Sequence, residues 1–458
     1  MSKSGGWFCV RNRLYPLLWP STIEVSDRRV TAAPVIDAAE PGAAASPKVS
    51  AVTARSRWLG RAWGVWLGLF SLASFTLRPP PVRNVIDLDQ YRDPGPKLAA
   101  ALVLLALGAM VPALWGAATR GVDFRRSRFL APVALLLCLS IPLSYIPPSD
   151  PLSIVYVVLV FNAMAAAIIL ASTDCDGEAL FTALLASFAI SHALLMAWVI
   201  KDHDYFWGRL FGRIQPNYWG EVAQAAVVAA FAMRGWIVRA GVVVVSLVII
   251  YETQSRGSMV ALAVGGGLAF ILYTATSRWR VALWIGAALG LVLVGLFGSG
   301  FIAEDLLKVS DPLRGAGSGL TGRKAAWEET INLILNHPWL GVGYRQHEHY
   351  LTTEASAHNA YLATMADTGI FGFFAYILFL VGGLVRACVK SLSEPSGVNL
   401  ACAAYLAAFM VDGLFERSAL NTGNAYCQLM ILCAAWAWRQ DDPYGRPAWR
   451  GAPARAGR

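Results

Sequence analysis

Charge is what this sequence has least of. Only 15% of its 458 residues are Asp, Glu, Lys or Arg, where a water-soluble domain carries about a quarter. Hydrophobic residues make up 56% of the chain and the mean hydropathy is +0.51, which excludes an ordinary soluble globular enzyme. Cysteine is sparse as well. The 7 present (Cys9, Cys138, Cys175, Cys388, Cys402, Cys427 and Cys433) fall in an N-terminal arm, in apolar runs or in a short loop, so no disulfide framework is implied. No Cys-x-x-Cys, His-Glu-x-x-His or other metal-ligand spacing occurs, and no metal site is expected. The first 50 residues hold no long apolar run with a small-residue cleavage site behind it, which argues against a signal peptide. No repeat relates the two halves of the chain.

In place of charge there are 41 Gly and 17 Trp, residues enriched in membrane helices and at membrane interfaces respectively. About 20 mostly apolar residues cross about 30 Å of hydrocarbon. Runs of that kind lie at 59–77, 98–117, 129–145, 152–171, 179–200, 218–233, 238–252, 258–276, 281–300, 369–387, 398–414 and 423–438. The reading is an all-α integral membrane protein with about 12 transmembrane helices. Basic residues orient it: Arg55, Arg57 and Arg61, then Arg120, Arg125, Arg126 and Arg128, then Arg234, Arg239, Arg278, Arg280, Arg386 and Lys390, and a tail with Arg439, Arg446 and Arg450. All fall on one side if every run spans, and that side is expected to be cytoplasmic, with both termini there. One loop on this side, 172–178, carries acids and no basic residue. The net charge of +9 then belongs to membrane rims, and a nucleic-acid partner is not needed to explain it.

The expected organisation is a disordered cytoplasmic arm over 1–57, N-terminal membrane helices over 58–200, a second membrane domain over 201–438 and a cytoplasmic tail over 439–458. Most outer loops are short, but 301–368, between the ninth and tenth runs, holds four of the six histidines: His337, His347, His349 and His358. Long loops on rigid scaffolds tend to carry function.

Three clusters fall on the outer side. Arg209 and Arg213 precede Pro216 and Asn217, which suit a helix start; interfacial anchoring is the plain alternative. Thr253-Gln254-Ser255-Arg256-Gly257-Ser258 follows, with Ser255 or Ser258 placed to cap the eighth span. An arginine at a helix N-terminus suits a phosphate-type anion, because guanidinium forks onto it while free N–H groups face it. A structural pairing of Arg256 with Glu252 is the alternative. The third cluster starts at Gly322-Arg323 and opens an amphipathic helix with Trp327, Ile331, Ile334 and Leu335 on one apolar stripe and Pro338 as its stop. A cation in the first turn opposes the helix dipole, so Arg323 calls for an anion, which Glu328 or Glu329 would supply if no ligand does. Gly341-Val342-Gly343-Tyr344 makes a turn. Ser356 is placed to cap the next helix and set His358 in its first turn, a position that disfavours imidazolium and leaves a neutral base. His337, His347 and His349 read as solvated or turn residues, with a metal as the alternative.

In this order the clusters resemble the O-antigen ligase and polysaccharide polymerase superfamily. The resemblance rests on the Ser-Arg-Gly-Ser turn at 255–258, the Gly-Arg before a Trp-containing helix, the Pro338-x-x-Gly341-x-Gly343 turn and His358-Asn359 followed by Gly369-x-x-Gly372. It covers about 200–415. It implies a glycosyltransferase of the GT-C type in the bacterial inner membrane, with a long periplasmic loop between spans 9 and 10 and the active site facing the periplasm. Such enzymes take a glycan from an undecaprenyl-diphosphate carrier without metal, nucleotide or other cofactor. By the same resemblance Arg256 and Arg323 hold the diphosphate, Arg209 and Arg213 bind more of the donor, and His358 is the base that activates an acceptor hydroxyl, with inversion at the anomeric carbon. Asp311, Glu354 and Asp412 are the carboxylates available to orient His358 or an arginine. The partners are the lipid-linked donor, a glycan or lipid A core acceptor and the membrane lipids. Arg314-Gly315, the stretch Gly317-Ser318-Gly319-Leu320-Thr321-Gly322-Arg323 and the Gly343-Tyr344-Arg345 turn look more like exopolysaccharide and O-antigen polymerases. The alternatives are a ligase acting on lipid A core, a protein O-oligosaccharyltransferase and a secondary transporter. Transporters usually show two similar halves with a mid-membrane site.

Overall fold

The computed structural model describes residues 7–10, 13–16, 47–77, 95–144, 152–202, 205–206, 208–211, 214–294, 323–352 and 357–440. The chain forms two units, Met1–Ser46 and Pro47–Arg458. In the first, β1 (Trp7–Val10) pairs antiparallel with β2 (Arg13–Pro16), Trp7 opposite Pro16.

Among its described residues the second unit is helical apart from a two-residue ladder and an isolated bridge between Val122 and Thr173. Each of the twelve apolar runs holds a helix: α1 (Pro47–Leu77), α2 (Gly95–Arg120), α3 (Leu130–Leu143), α4 (Leu152–Ser172), α5 (Gly177–Asp202), α6 (Pro216–Ala229), α7 (Trp236–Thr253), α8 (Arg256–Thr276), α9 (Arg280–Leu293), and, after the amphipathic α10 (Arg323–Asn336), α11 (Ala360–Ser393), α12 (Gly397–Asp412) and α13 (Ala425–Trp438). Between α5 and α6, β3 (Tyr205–Phe206) pairs antiparallel with β4 (Arg209–Leu210). The arm expected over 1–57 is helical from Pro47 onward; proline is tolerated in a first turn, where its missing N–H has no intrahelical partner.

Six of the helices among the described residues are long and apolar enough to cross a membrane: α2, α4, α5, α7, α8 and α11. Four others, α3, α9, α12 and α13, are apolar but shorter than 18 residues. The chain is a multi-pass membrane protein. Helix α13 is buried along its whole length, so it serves as an interior post rather than a lipid-facing span. Helix α9 has the opposite character, with no buried residue and an apolar surface of Val281, Trp284, Ile285 and Leu289, which suits contact with acyl chains.

The acidic loop that broke the charge pattern has a partner. Asp174 is ion-paired with Arg126, Asp176 accepts a hydrogen bond from Thr53 Oγ1 at 3.0 Å, and the buried Arg439 donates to the Cys175 carbonyl at 3.0 Å. Of the loop's acids, Asp174 is the one seen as a counterion to the basic rim among the described residues, while Arg439 is held by the loop backbone. Helix α13 runs from this rim end, at Trp438, to Asn424 at the opposite end. Its 14 residues place the two ends about 21 Å apart.

Helix α11 is broken at Gly369, where φ is 63° and ψ −168°. The break exposes the carbonyls before it, and the Pro338–Gly343 turn takes them up: Val342 N–H donates to Ala366 O and Gly343 N–H to Asp367 O, both at 2.9 Å, while Ile370 N–H donates back to Pro338 O at 2.8 Å. The two glycine motifs are therefore halves of one joint. Gly341 (φ 68°) and Gly369 face each other's backbone so closely that a Cβ on Gly369 would lie 2.2 Å from Trp339 O. Gly369→Ala is expected to destabilise the protein by about 1–3 kcal/mol from backbone strain alone, with the clash in addition. A lowered melting temperature in detergent would register it; wild-type melting would refute the joint.

Candidate functional site

Helices α12 and α13 are joined by the turn 413–424, which begins beside Asp412 and carries Glu416 and Arg417. It is wound tightly, Phe415 N–H and Glu416 N–H both donating to Asp412 O at 2.8 and 2.9 Å. This aims the buried Glu416 carboxylate at three other elements. Oε1 accepts from Asn217 Nδ2 at 2.6 Å and from Arg323 Nη2 at 3.4 Å, and Oε2 stands 3.5 Å from His358 Nδ1. Arg209 joins the chain through Asn217 Oδ1, which it reaches at 2.7 Å, while its Nε donates to Thr253 O, also at 2.7 Å. That second bond satisfies a carbonyl at the C-terminus of α7, where a cation is favoured. The amide orientation of Asn217 follows from its partners, since only its oxygen can face a guanidinium and only its nitrogen a carboxylate.

Arg256 is the first residue of α8, with Ser255 at the N-cap position. The Ser255 hydroxyl bonds Ser258 Oγ at 2.9 Å instead of closing a cap. The start of α8 abuts the same turn: a Cβ on Gly257 would lie 3.3 Å from Phe415 Cβ and 3.5 Å from Asp412 Oδ1. Pro216 opens α6 as expected, at its first position, with Asn217 beside it. Arg323 and His358 thus meet the turn at Glu416, Arg209 reaches it through Asn217, and the helix start that bears Arg256 packs against it. Arg213, Asp311 and Glu354 lie outside the described residues, as does Ser356.

Several expectations are corrected. His358 is not in a first helical turn: α11 begins at Ala360 and Asn359 is its N-cap, its Oδ1 accepting from Tyr361 N–H and Leu362 N–H at 3.0 Å each. Asparagine is a preferred cap because its side chain satisfies those orphan donors. His358 precedes the cap in a left-handed conformation, φ 43°, with its side chain 34% exposed. Such backbone is uncommon outside glycine and is held only where surroundings over-determine it. They do so here: Trp327 Nε1–H fixes Ala357 O at 2.6 Å, Ala360 N–H fixes Gly413 O at 2.7 Å, and Tyr361 O–H fixes Met410 O at 2.6 Å.

Arg323 pairs with Glu416 and not with Glu328 or Glu329, which lie five and six residues along the helix and off its neighbouring rows. Glu329 instead accepts from Thr352 N–H at 2.8 Å and Oγ1 at 2.6 Å. Glu252 accepts from Tyr205 O–H at 2.8 Å. The buried face of α10 is Ala326, Thr330 and Ile334, so of the expected stripe Ile334 is buried and Trp327 half-buried, whereas Leu335 is 71% exposed. It continues onto exposed Trp339, Leu340 and Phe371, an apolar rim. Asp412 orients neither histidine nor arginine by a hydrogen bond; both its oxygens are buried without a hydrogen-bond partner among the described residues. His347 is not solvated: it is 3% exposed and bonded to Asp367, whereas His337 and His349 are exposed. No group of three His, Cys, Asp or Glu residues arranged to hold a metal occurs among the described residues.

Two acidic residues at the site went unanticipated. Glu416 stands out in retrospect as one of three charges within six residues between apolar helices. Glu221, inside α6, is an ionisable residue buried in a membrane segment, a pattern that usually marks function; it accepts from Ser418 Oγ at 2.9 Å and Asn424 Nδ2 at 3.3 Å and so braces the same turn. Tyr344 braces it from the other side, donating to Leu420 O at 2.7 Å. Burial holds this phenol well above its ordinary range, so it remains a donor.

Residues 241–377 match the family model described as O-antigen ligase. The matched segment includes Arg256, Arg323, His358 and the Gly341–Gly369 joint, and stops short of Glu416. No curated protein matches the chain.

Proposed function

We propose that this chain, which carries a domain of the O-antigen ligase and polymerase superfamily over residues 241–377, is a membrane glycosyltransferase that moves a glycan from a polyprenyl-diphosphate donor onto a sugar hydroxyl at the periplasmic face. The observation that carries this reading is the gathering of Arg209, Arg323 and His358 around Glu416, beside the helix start that bears Arg256. Guanidiniums bind phosphate oxygens in bidentate fashion and offset the charge that grows on a departing diphosphate. Arg256 and Arg323 hold that group, and Arg209, with Arg213, contacts the remainder of the donor. With Glu416 against Nδ1, Nε2 of His358 is the nitrogen that takes the acceptor hydroxyl proton. The hydroxyl oxygen attacks the anomeric carbon, the bond from that carbon to the diphosphate oxygen breaks on the opposite face, and the carrier diphosphate leaves with the bonding pair. The configuration inverts. No cofactor is called for.

The acceptor is another repeat unit, making the enzyme a polysaccharide polymerase of the inner membrane; a ligase onto lipid A core is the second reading. A deletion strain separates them. Single-repeat products or loss of a secreted polymer mean polymerase. Absence of all O-chain from the core, with lipid-linked polymer intact, means ligase. Unchanged polysaccharides and lipopolysaccharide in that strain would overturn both. Arg323→Lys is expected to lower transfer at least about tenfold, because an ammonium loses the fork. Transfer from purified lipid-linked donor checks this, and wild-type rates would remove Arg323 from the diphosphate site.

A further inference from the structure

A second cluster of chemistry lies next to the first and takes no part in the transfer step. Tyr344, His347, Ala363, Thr364, Asp367, Arg417 and their neighbours line a cleft with about 440 Å³ of empty space, including the part open to solvent. His347 and Asp367 form a dyad on its wall. Asp367 Oδ1 takes hydrogen bonds from both His347 Nδ1, at 2.8 Å, and the His347 backbone N–H, at 3.0 Å. A carboxylate only accepts, so Nδ1 carries the hydrogen, and in the neutral ring Nε2 is the acceptor. Nε2 is buried and has no hydrogen-bond partner among the described residues. A buried acceptor left unmet is costly and uncommon.

The charges around the cleft are committed in pairs. Arg417 is ion-paired with Glu348, Asp367 is engaged by the histidine's Nδ1–H, and the Arg345 guanidinium sits 3.8 Å over the Tyr156 ring. The formal charges of Arg345, Arg417, Glu348 and Asp367 cancel. That favours a neutral, hydroxyl-bearing ligand over an anion. The position of the cleft narrows the choice further. Glu416, which faces His358, and Arg417, which lines the cleft, are consecutive residues of one turn, about 3.8 Å apart along the backbone. A ligand in the cleft is therefore held against the same turn that presents Glu416 to His358. The Gly369 break explains how the dyad is set, since Asp367 is held through its carbonyl by Gly343 N–H at 2.9 Å while its side chain holds His347.

We infer that this cleft seats a sugar ring of the acceptor glycan, with His347 Nε2 accepting a hydrogen bond from a ring hydroxyl. The inference rests on the transferase reading for the name of the ligand. The cleft selects and positions the acceptor, and the base that deprotonates it remains His358.

The test is saccharide binding to the full chain in nanodiscs, with two probes: repeat-unit oligosaccharide freed by mild acid from the lipid-linked pool of the deletion strain, and purified core oligosaccharide. Wild type is expected to bind one of them, the first for a polymerase and the second for a ligase. His347→Phe removes the acceptor nitrogen, and Ala363→Leu fills the cleft while leaving the dyad in place. Each is expected to weaken binding at least about tenfold and to raise the acceptor KM by a similar factor with little change in kcat. If His347→Phe melts low, Ala363→Leu decides. Wild-type binding and KM in Ala363→Leu, or binding of neither probe by the wild type, would overturn the cleft. His358→Ala separates the two readings: it should bind saccharide normally and transfer at least about 10²-fold more slowly. Normal transfer by that variant would sink His358 as base while the binding result still judged the cleft.

Discussion

His358→Ala is expected to reduce glycan transfer by about 10²–10⁴-fold, the usual contribution of a positioned general base, with the protein still inserted at its normal level. The side chain is a third exposed, so its removal leaves no core cavity. The backbone conformation, φ 43°, is imposed by the bonds to Ala357 O and Ala360 N–H on either side, neither of which involves the imidazole. The loss should therefore appear in turnover and not in folding. The informative measurement is transfer from lipid-linked donor alongside donor binding and melting temperature for the same preparation. Donor binding within a few-fold of wild type with turnover gone identifies the base; turnover near wild type dismisses it. Loss of melting temperature equal to that of a misfolded control would point instead to a backbone role.

The helices were legible because burial in lipid leaves a coarse signature. Long apolar runs and one-sided arginines read directly from composition, and each of the twelve runs holds a helix. Their lengths were less legible. Helices α12 and α13 are 16 and 14 residues, short because polar groups at the site end, Asp412 and Asn424, stop them. An apolar run marks burial but does not distinguish lipid from protein interior. The glycine motifs were visible as spacing, yet their meaning is tertiary: Gly341 and Gly369 are 28 positions apart and make sense only as the two faces of one joint. The same limit applied to His358. Ser356 and Asn359 are both capping residues, and local pattern cannot say which closes the helix; the contacts of Ala360 with Gly413 settle it in favour of Asn359. His347 had no local signal at all, because its partner Asp367 lies 20 residues away on a helix that must first break. Charge pairing failed in the same way for Arg323, whose partner came from a turn 93 residues downstream rather than from its own helix.

Glu416 has the second large expected effect, and a pair of variants resolves its role. It is a positioning residue: it contacts Arg323, His358 and, through Asn217, Arg209. Three functions of the carboxylate are separable. Its charge counters a cluster of arginines while no diphosphate is present, its Oε1 anchors Asn217, and its Oε2 faces His358 Nδ1. Glu416→Ala removes all three and leaves guanidiniums crowded at one point, where breaking a partly buried ion pair costs several kcal/mol. Loss of transfer in this variant is expected to come with lower melting. Glu416→Gln keeps an oxygen for Asn217 and the shape of the side chain but not the charge, so the turn should hold. Turnover is then expected to fall about 10–100-fold, since His358 loses the carboxylate that faces Nδ1 at 3.5 Å and steadies the charge the ring gains as it takes the proton. Donor affinity should be unchanged or tighter, because the diphosphate no longer competes with a carboxylate for Arg323. A structural role alone predicts the reverse for Gln, with near-normal turnover. Equal kcat and donor affinity in wild type and Glu416→Gln would therefore limit Glu416 to bracing the turn, whereas the opposed shifts would mark it as the residue that holds base and arginines in register until the donor arrives.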